Sequence, residues 1–309
     1  MRLNWFLGCT LLAAATAFAG HVDAPLNTHR AIGHAGSSQI GALEAGGNSF
    51  AASEISGQLH SSVAMVVDQE TGQTLLAKNS DATSPIASIT KLMTAMVVLD
   101  AQLPLDEKIT ITKDDIDVLR GTHSRLKVGT VLTRELALQL ALMSSENRAA
   151  AALGRVYPGG RDAFIAAMNR KAESLGMKNT RFVDSTGLSN QNTSTAQDLV
   201  KMVEAAYQYP VIRDMTTTGS YNVAMRKSRQ QFQFRNTNML VRSKKWEIGL
   251  SKTGFINEAG HCLVMQARIA NKPVIIVLLD SWGKLSRIGD AQRIKKWVET
   301  SLSGRQRFS

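Results

Sequence analysis

Residues 247–280 read EIGLSKTGFINEAGHCLVMQARIANKPVIIVLLD, and three strands can be cut from them: Glu247 to Phe255, Gly260 to Ile269 and Pro273 to Asp280. The apolar runs are short, rich in β-branched residues and bounded by Gly, Asn and Pro, which favours strands over helical turns. The three read as neighbours, the last two joined by the short turn Ala270-Asn271-Lys272. Upstream, Ser62 to Asp68 and Gln73 to Ala77 flank the turn Gln69-Glu70-Thr71-Gly72 and read as a β-hairpin. A helix from about Gly289 to Leu302 carries Ile288, Ala291, Ile294, Trp297 and Val298 on one stripe, suited to covering a sheet.

Between the hairpin and these strands the chain is helical. After Pro85-Ile86-Ala87, the run Ser88 to Leu103 spaces Ile89, Leu92, Met93, Met96, Val97 and Leu99 for a buried helix starting at Ser88. Further helices are expected over Leu132–Met143, Glu146–Tyr157 and Arg161–Leu175, the last closed by Gly176. A fourth opens on a capping box, Ser194 with Gln197, and stops before Pro210. The ends are therefore α/β and the middle helical: one antiparallel sheet, flanked by helices, is built from both ends (about 59–112 and 240–309) around an inserted helical part (about 113–239). Ligand sites favour the cleft between such halves.

At 309 residues, 44% hydrophobic and 20% charged, the chain is an ordinary globular protein and not a disordered one. The unusual quantity is a formal net charge of +11, which by itself suggests nucleic acid or an anionic surface as partner. Residues 1–19 bear on that choice. A single Arg2 precedes an apolar run ending in Ala17-Phe18-Ala19, the pattern of a secretory signal peptide cleaved after Ala19. The run is too short for a comfortable membrane anchor, so the mature chain is expected to be released. Export makes nucleic acid an improbable partner. Cleavage also removes Cys9, leaving Cys262 alone in an apolar run as a buried structural thiol. Residues 20–58, rich in Gly, Ala and Ser without a sustained period, read as a flexible linker ahead of a domain over 59–309.

Three short motifs could carry chemistry in the cleft. In Ser88-Ile89-Thr90-Lys91, residues three apart share a helix face, so the Lys91 amine can take the proton of the Ser88 hydroxyl, provided that burial or neighbouring cations depress its pKa. Ser88 alone could equally be a helix cap, and the same S-x-x-K spacing recurs at Ser124 and Ser281, though neither opens an apolar helix. Ser145-Glu146-Asn147 falls in the joint between two helices, where a cap is the competing reading. Lys252-Thr253-Gly254 lies inside a strand; Gly there marks either the close approach of a ligand backbone or an edge-strand bulge.

Taken together and in this order, the motifs resemble the serine penicillin-binding proteins and β-lactamases. Within them the chain is similar to the low-molecular-mass D-alanyl-D-alanine peptidases, and most closely to the endopeptidases. The stretches that say so are Ala87 to Thr94, Leu142 to Ala149, Phe182-Val183-Asp184-Ser185-Thr186-Gly187-Leu188, and Lys252 to Gly260. The resemblance implies a β-lactamase/transpeptidase-like fold, with Ser88 as nucleophile on a peptidoglycan stem, Lys91 as its base, and Ser145, beside Lys252, protonating the leaving amine. Asn147 would hold the substrate amide and Lys91, Thr253 the substrate carboxylate, and the N–H groups of Ser88 and Phe255 beside Gly254 the oxyanion. Arg235 resembles the family's carboxylate-binding arginine. No cofactor or metal is implied: the six His form no H-E-x-x-H or similar spacing.

The family contains carboxypeptidases, endopeptidases and β-lactamases. No E-x-x-L-N string follows Asn147, which argues against a class A β-lactamase. About 55 residues follow Gly254, enough to finish the sheet and its covering helix but not the extra β domain and anchor helix of the membrane-bound carboxypeptidases. The expectation is a periplasmic DD-endopeptidase cutting D-Ala to diaminopimelate cross-links, without a stable membrane anchor. β-Lactams are its expected covalent inhibitors and other wall enzymes conceivable partners. A carboxypeptidase, or a non-catalytic peptidoglycan-binding relative, is the alternative. The basic surplus, gathered at Met225 to Arg229 and Arg242 to Lys245, then suits weak adhesion to a wall bearing free carboxylates.

Overall fold

The structure, a computed structural model, describes residues 48–224 and 231–305. In chain order its elements are α1 (Asn48–Gln58), β1 (Ser61–Asp68), β2 (Thr74–Lys78), β3 (Ser84–Pro85), a 3-10 turn (Ala87–Thr90), α2 (Lys91–Asp100), β4 (Lys108–Thr110), β5 (Val131–Thr133), α3 (Arg134–Met143), α4 (Asn147–Arg155), α5 (Gly160–Ser174), β6 (Thr193–Ser194), α6 (Ala196–Tyr207), α7 (Pro210–Thr217), β7 (Ser220–Ala224), β8 (Gln231–Arg235), β9 (Glu247–Ile256), β10 (Gly260–Ile269), β11 (Lys272–Ser281) and α8 (Ser286–Arg305).

Strands from the two ends of the chain make one antiparallel sheet in the order β2-β1-β11-β10-β9. The middle strand β11 is buried on both faces, which is why it reads as an unbroken apolar run. Its residues still divide with a period of two. Val274, Ile276 and Leu278 pack with Ile288, Ala291, Ile294 and Val298 of α8. Ile275, Val277 and Leu279 face the opposite way, into the cluster holding Leu92, Met93 and Met96 of α2 and Leu199, Met202 and Val203 of α6. The result is three layers, with α2 enclosed by sheet and helices and apolar all round for that reason.

The three late strands, the hairpin and the covering helix match expectation, and each departure elsewhere has a physical cause. Residues 48–58, read as the end of a linker, form α1; its apolar positions are too sparse to give a period, and burial of Ile55, with the following Leu59, against the α8 face holds it. The signal segment and residues 20–47 lie outside the described residues. The buried helix begins as a 3-10 turn at Ala87 and becomes α-helical only at Lys91. The cap of α6 is Thr195, whose Oγ1 accepts from Asp198 N at 3.2 Å, and not Ser194, which pairs with Ser84. Pro210 stops α6 and then serves as the first residue of α7, where its missing N–H costs nothing. The helical part also holds the hairpin β7–β8. Between β10 and β11 the turn is two residues, Ala270 and Asn271, both at positive φ (48° and 65°), with Lys272 already paired.

One buried carboxylate ties α8 to the sheet. Asp290 accepts from His60 N (3.1 Å), Ser61 N (2.7 Å), Ser61 Oγ (2.6 Å) and Arg293 (2.8 Å), while Ser61 Oγ also meets Ser281 Oγ at 2.6 Å. Replacing it strands the Ser61 N–H and hydroxyl, which are wholly buried. Asp290→Ala is expected to cost about 3 kcal/mol and to lower Tm by about 6–12 °C, read by circular dichroism.

Candidate active site

Ser88 lies on the 3-10 turn and Lys91 opens α2. The spacing of three works even better on this tighter turn, where i and i+3 eclipse, and Lys91 Nζ lies 2.7 Å from Ser88 Oγ. Lys91 is 0% exposed. Its other partners are Asn147 Oδ1 at 2.8 Å and the Thr186 carbonyl at 2.7 Å. Burial drives its pKa down from 10.5 to about 7, against an upward pull from Asp184 and Glu146. A neutral amine has two N–H donors and one lone pair. The two carbonyl oxygens can only accept, so they take the two N–H groups and leave the lone pair for the Ser88 hydroxyl.

Ser145 stands just before α4 with φ +60°, a conformation costly for a residue other than glycine. Lys252 Nζ reaches Ser145 Oγ at 2.9 Å and Thr253 O at 2.9 Å. Lys252 is also buried, and burial first, then the charges of Lys91 and Arg287, hold its pKa well below the usual lysine range. Thr253 Oγ1 donates to Thr237 Oγ1 at 2.6 Å. The three motifs therefore meet, from the 3-10 turn, the α3–α4 joint and β9.

Two glycines allow this approach. A Cβ on Gly254 would stand 2.9 Å from Ile86 O and 3.1 Å from Ser88 N, so the close approach at this glycine is made by the chain's own backbone and not by the ligand backbone expected there. The register shift between β9 and β10 falls opposite Gln266 and Ala267, which removes the bulge reading. Across the turn, Gly187 has φ +80°, and a Cβ there would stand 1.9 Å from Ala87 O. Ala87 itself is held at φ +47°, pinched between the two. The N–H groups of Ser88 and Phe255 belong to the segments that Gly254 brings together. Phe255, 53% exposed, stacks on His261 at 4.3 Å.

Arg235 does not join the cluster. It is exposed on β8, its Nε on Gln233 Oε1 at 3.0 Å. The guanidinium behind the Lys-Thr-Gly segment is Arg287 of α8, buried, donating to Gly254 O (2.9 Å) and Cys262 O (3.1 Å). The other S-x-x-K serines are occupied elsewhere: Ser124 donates to Glu146, and Ser281 pairs with Ser61. Cys262 is buried, its thiol pushed up to about 11 by burial. A cavity of about 550 Å³ adjoins the cluster, walled by Asn147 and Thr186 together with Ile116, Leu119, Phe164 and Leu188.

Sequence reading assigned no role to the loop that supplies the Thr186 carbonyl. Asp184 Oδ1 gathers Thr186 N (2.6 Å), Thr186 Oγ1 (2.6 Å) and Gly187 N (2.7 Å), and its Oδ2 takes Ser189 N (3.0 Å). An Asp followed by Ser-Thr-Gly is a recognisable turn signal, but nothing local says which atom its carbonyl faces.

Comparison with known proteins places this geometry. Residues 48–283 match the family described as D-alanyl-D-alanine carboxypeptidase. A D-alanyl-D-alanine endopeptidase of Pseudomonas aeruginosa is 53% identical over 243 residues, 79% of this chain and 78% of the relative. One of Escherichia coli is 51% identical over the same shares. Among solved structures, penicillin-binding protein D2 of Listeria monocytogenes in its ampicillin-bound form superposes with TM-score 0.66 at 30% identity, covering 77% of this chain and 97% of that one.

Gly187 gives a sharp test of the packing behind Ser88. Gly187→Ala adds a left-handed-region penalty of about 1–2 kcal/mol and a methyl overlapping Ala87 O. The protein is expected to fold, with Ser88 displaced and covalent labelling of the chain by a fluorescent penicillin slowed about 100-fold or more, measured as a second-order rate constant.

Proposed function

Because the chain belongs to the D-alanyl-D-alanine carboxypeptidase family of serine peptidases, we propose that it is a peptidoglycan DD-endopeptidase working through a Ser88 acyl-enzyme. The observation that carries the proposal is the wholly buried Lys91 amine, 2.7 Å from Ser88 Oγ, with a pKa near 7. In this reading Ser88 Oγ attacks the D-Ala carbonyl as its proton passes to Lys91 Nζ. The oxyanion is held by the N–H groups of Ser88 and Phe255. As the C–N bond breaks, Ser145 gives its proton to the departing amine and draws one from Lys252. That leaves Lys91 protonated and Lys252 neutral, and exchange with solvent resets both. Water then adds to the ester as Lys91 takes its proton. Lys91 hands that proton to Ser88 Oγ as the ester C–O bond breaks, releasing the free acid and restoring Ser88. Asn147 holds the substrate amide and Thr253, with Thr237, its carboxylate. β9 is at the sheet edge, where an extended peptide can add as a further strand.

Endopeptidase rather than carboxypeptidase specificity is supported by the two relatives above 50% identity, both endopeptidases by name. Covalent inhibition by β-lactams is supported by the ampicillin-bound relative. Export to the periplasm rests on the signal-like residues 1–19; among the described residues no helix is long and apolar enough to cross a membrane.

Two experiments test the proposal. Ser88→Ala should abolish covalent labelling by a fluorescent penicillin, and labelling that survived would remove Ser88 as nucleophile. Purified cross-linked muropeptides should be cut to monomers, with pentapeptides left intact; release of D-Ala without loss of dimers would make the enzyme a carboxypeptidase. The pH dependence has a definite sign. Only neutral Lys91 can accept a proton, so acylation should be slow below pH 7 and rise through a midpoint near 7 as the ammonium deprotonates.

A further inference from the structure

The Asn147 amide is useful to Lys91 in one orientation only, and the residues that choose it lie outside the three motifs. Asn147 Nδ2 donates to Thr122 Oγ1 at 3.0 Å. Thr122 Oγ1 in turn donates to Asp117 Oδ2 at 2.7 Å. An ionised carboxylate accepts and cannot donate. Asp117 is kept in that form: despite some burial, the Thr122 hydroxyl and the N–H groups of Arg120, Thr122 and Leu119 hold its pKa below the ordinary value.

The direction of every bond in the chain follows. Asp117 takes the Thr122 proton, so Thr122 Oγ1 offers a lone pair to Asn147. That lone pair selects the NH2 end of the amide, so Oδ1 is turned to Lys91 at 2.8 Å. With Oδ1 and Thr186 O both accepting, the Lys91 lone pair faces Ser88. A reversed amide would point N–H at Lys91 and compete with Ser88 for that lone pair.

We propose that Thr122 and Asp117 are positioning residues for the acylation step, a one-way hydrogen-bond chain that sets the Asn147 amide and through it the Lys91 lone pair. The inference rests on the reading of Lys91 as base. The loop bearing the chain is braced independently of the site: Asp117 Oδ1 caps Leu119 N and Arg120 N at 2.9 Å each, and Arg120 binds Leu188 O and Glu258. Thr122 can therefore be altered while these ties remain.

The test compares wild type, Thr122→Val and Thr122→Ser in second-order acylation by a fluorescent penicillin from pH 5 to 9, with thermal melts as control. Valine keeps the shape and removes the acceptor; serine keeps the acceptor. For Thr122→Val we expect acylation at pH 8 to fall about 10- to 100-fold, with the acid limb moved to lower pH. The move has this sign because an amide N–H on Lys91 favours its neutral form, while Glu146, Asp184 and Lys252, the other charges around Lys91, are unchanged. Thr122→Ser should stay within about threefold of wild type. Val unchanged, or Val slowed with its acid limb in place, or Ser as impaired as Val, would each overturn the inference. If Val does not fold, Thr122→Ala is judged by the same criteria. A wild type whose acylation does not rise through about pH 7 would instead refute Lys91 as base, and so separates failure of that reading from failure of the chain.

Discussion

The constraint on which the site depends is the burial of an amine. Lys91 is fully enclosed at the start of α2, a helix with apolar neighbours on every side. A charged ammonium there would be poorly solvated, and the side chain instead moves toward neutrality. Neutrality has its own requirement, since two N–H groups must be satisfied without capturing the lone pair. A side-chain carbonyl from α4 and a backbone carbonyl from the 184–188 loop meet it. Each is fixed by a carboxylate at one remove: Asp117 through Thr122, and Asp184 through the turn it caps. Acidic groups thus shape the surroundings of Lys91 without contacting it, which leaves its pKa low.

Backbone strain gathers at the same place. Ala87, the residue before Ser88, and Ser145 are among the few non-glycine residues at positive φ. Such conformations cost roughly 1–3 kcal/mol each and persist where surrounding structure overdetermines them. At Ala87 the surroundings are Gly187 on one side and Gly254 on the other, both so close that a methyl would clash. The turn bearing Ser88 is therefore held by backbone contacts from loop and strand. Arg287 extends this support from the far layer, donating through β9 and β10 to the carbonyls of Gly254 and Cys262.

What was legible in the sequence and what was not divide along range. The strands β9, β10 and β11 could be read because their apolar content, β-branching and turns are local, and the β1–β2 hairpin for the same reason. Ser88 to Lys91 survived the change from α-helix to 3-10 turn because a spacing of three brings side chains together on either. The α1 helix was missed because tertiary burial of Ile55 and Leu59, and no period of its own, holds it. At α6, two neighbouring hydroxyls could each have been the cap, and pairing with Ser84 took Ser194 out of contention. In the site, motif residues were visible and their supports were not. Thr122 is 25 residues from Asn147, and Arg287 lies on a helix read only as a cover for the sheet. Arg235 was named by resemblance to the family's carboxylate-binding arginine, although its spacing to β9 is loose; it lies exposed on a separate hairpin, while Arg287 is behind the strand.

The two lysines couple the halves of the proposed reaction. Lys252 is held below its usual pKa partly by the charge of Lys91, so the site favours one proton shared between two amines over two. In the proposed reaction Lys252 carries that proton before attack, beside Ser145 Oγ. When Lys91 takes the Ser88 proton during attack, its new charge disfavours a proton on Lys252 and drives it toward Ser145 and the departing amine. Burial of both amines strengthens this repulsion because little water intervenes to screen it. The same desolvation that makes Lys91 a base would then make Lys252 and Ser145 an acid at the moment the leaving group needs one. On this argument the low-dielectric core between α2 and β9 does as much for the chemistry as the identity of the motif residues.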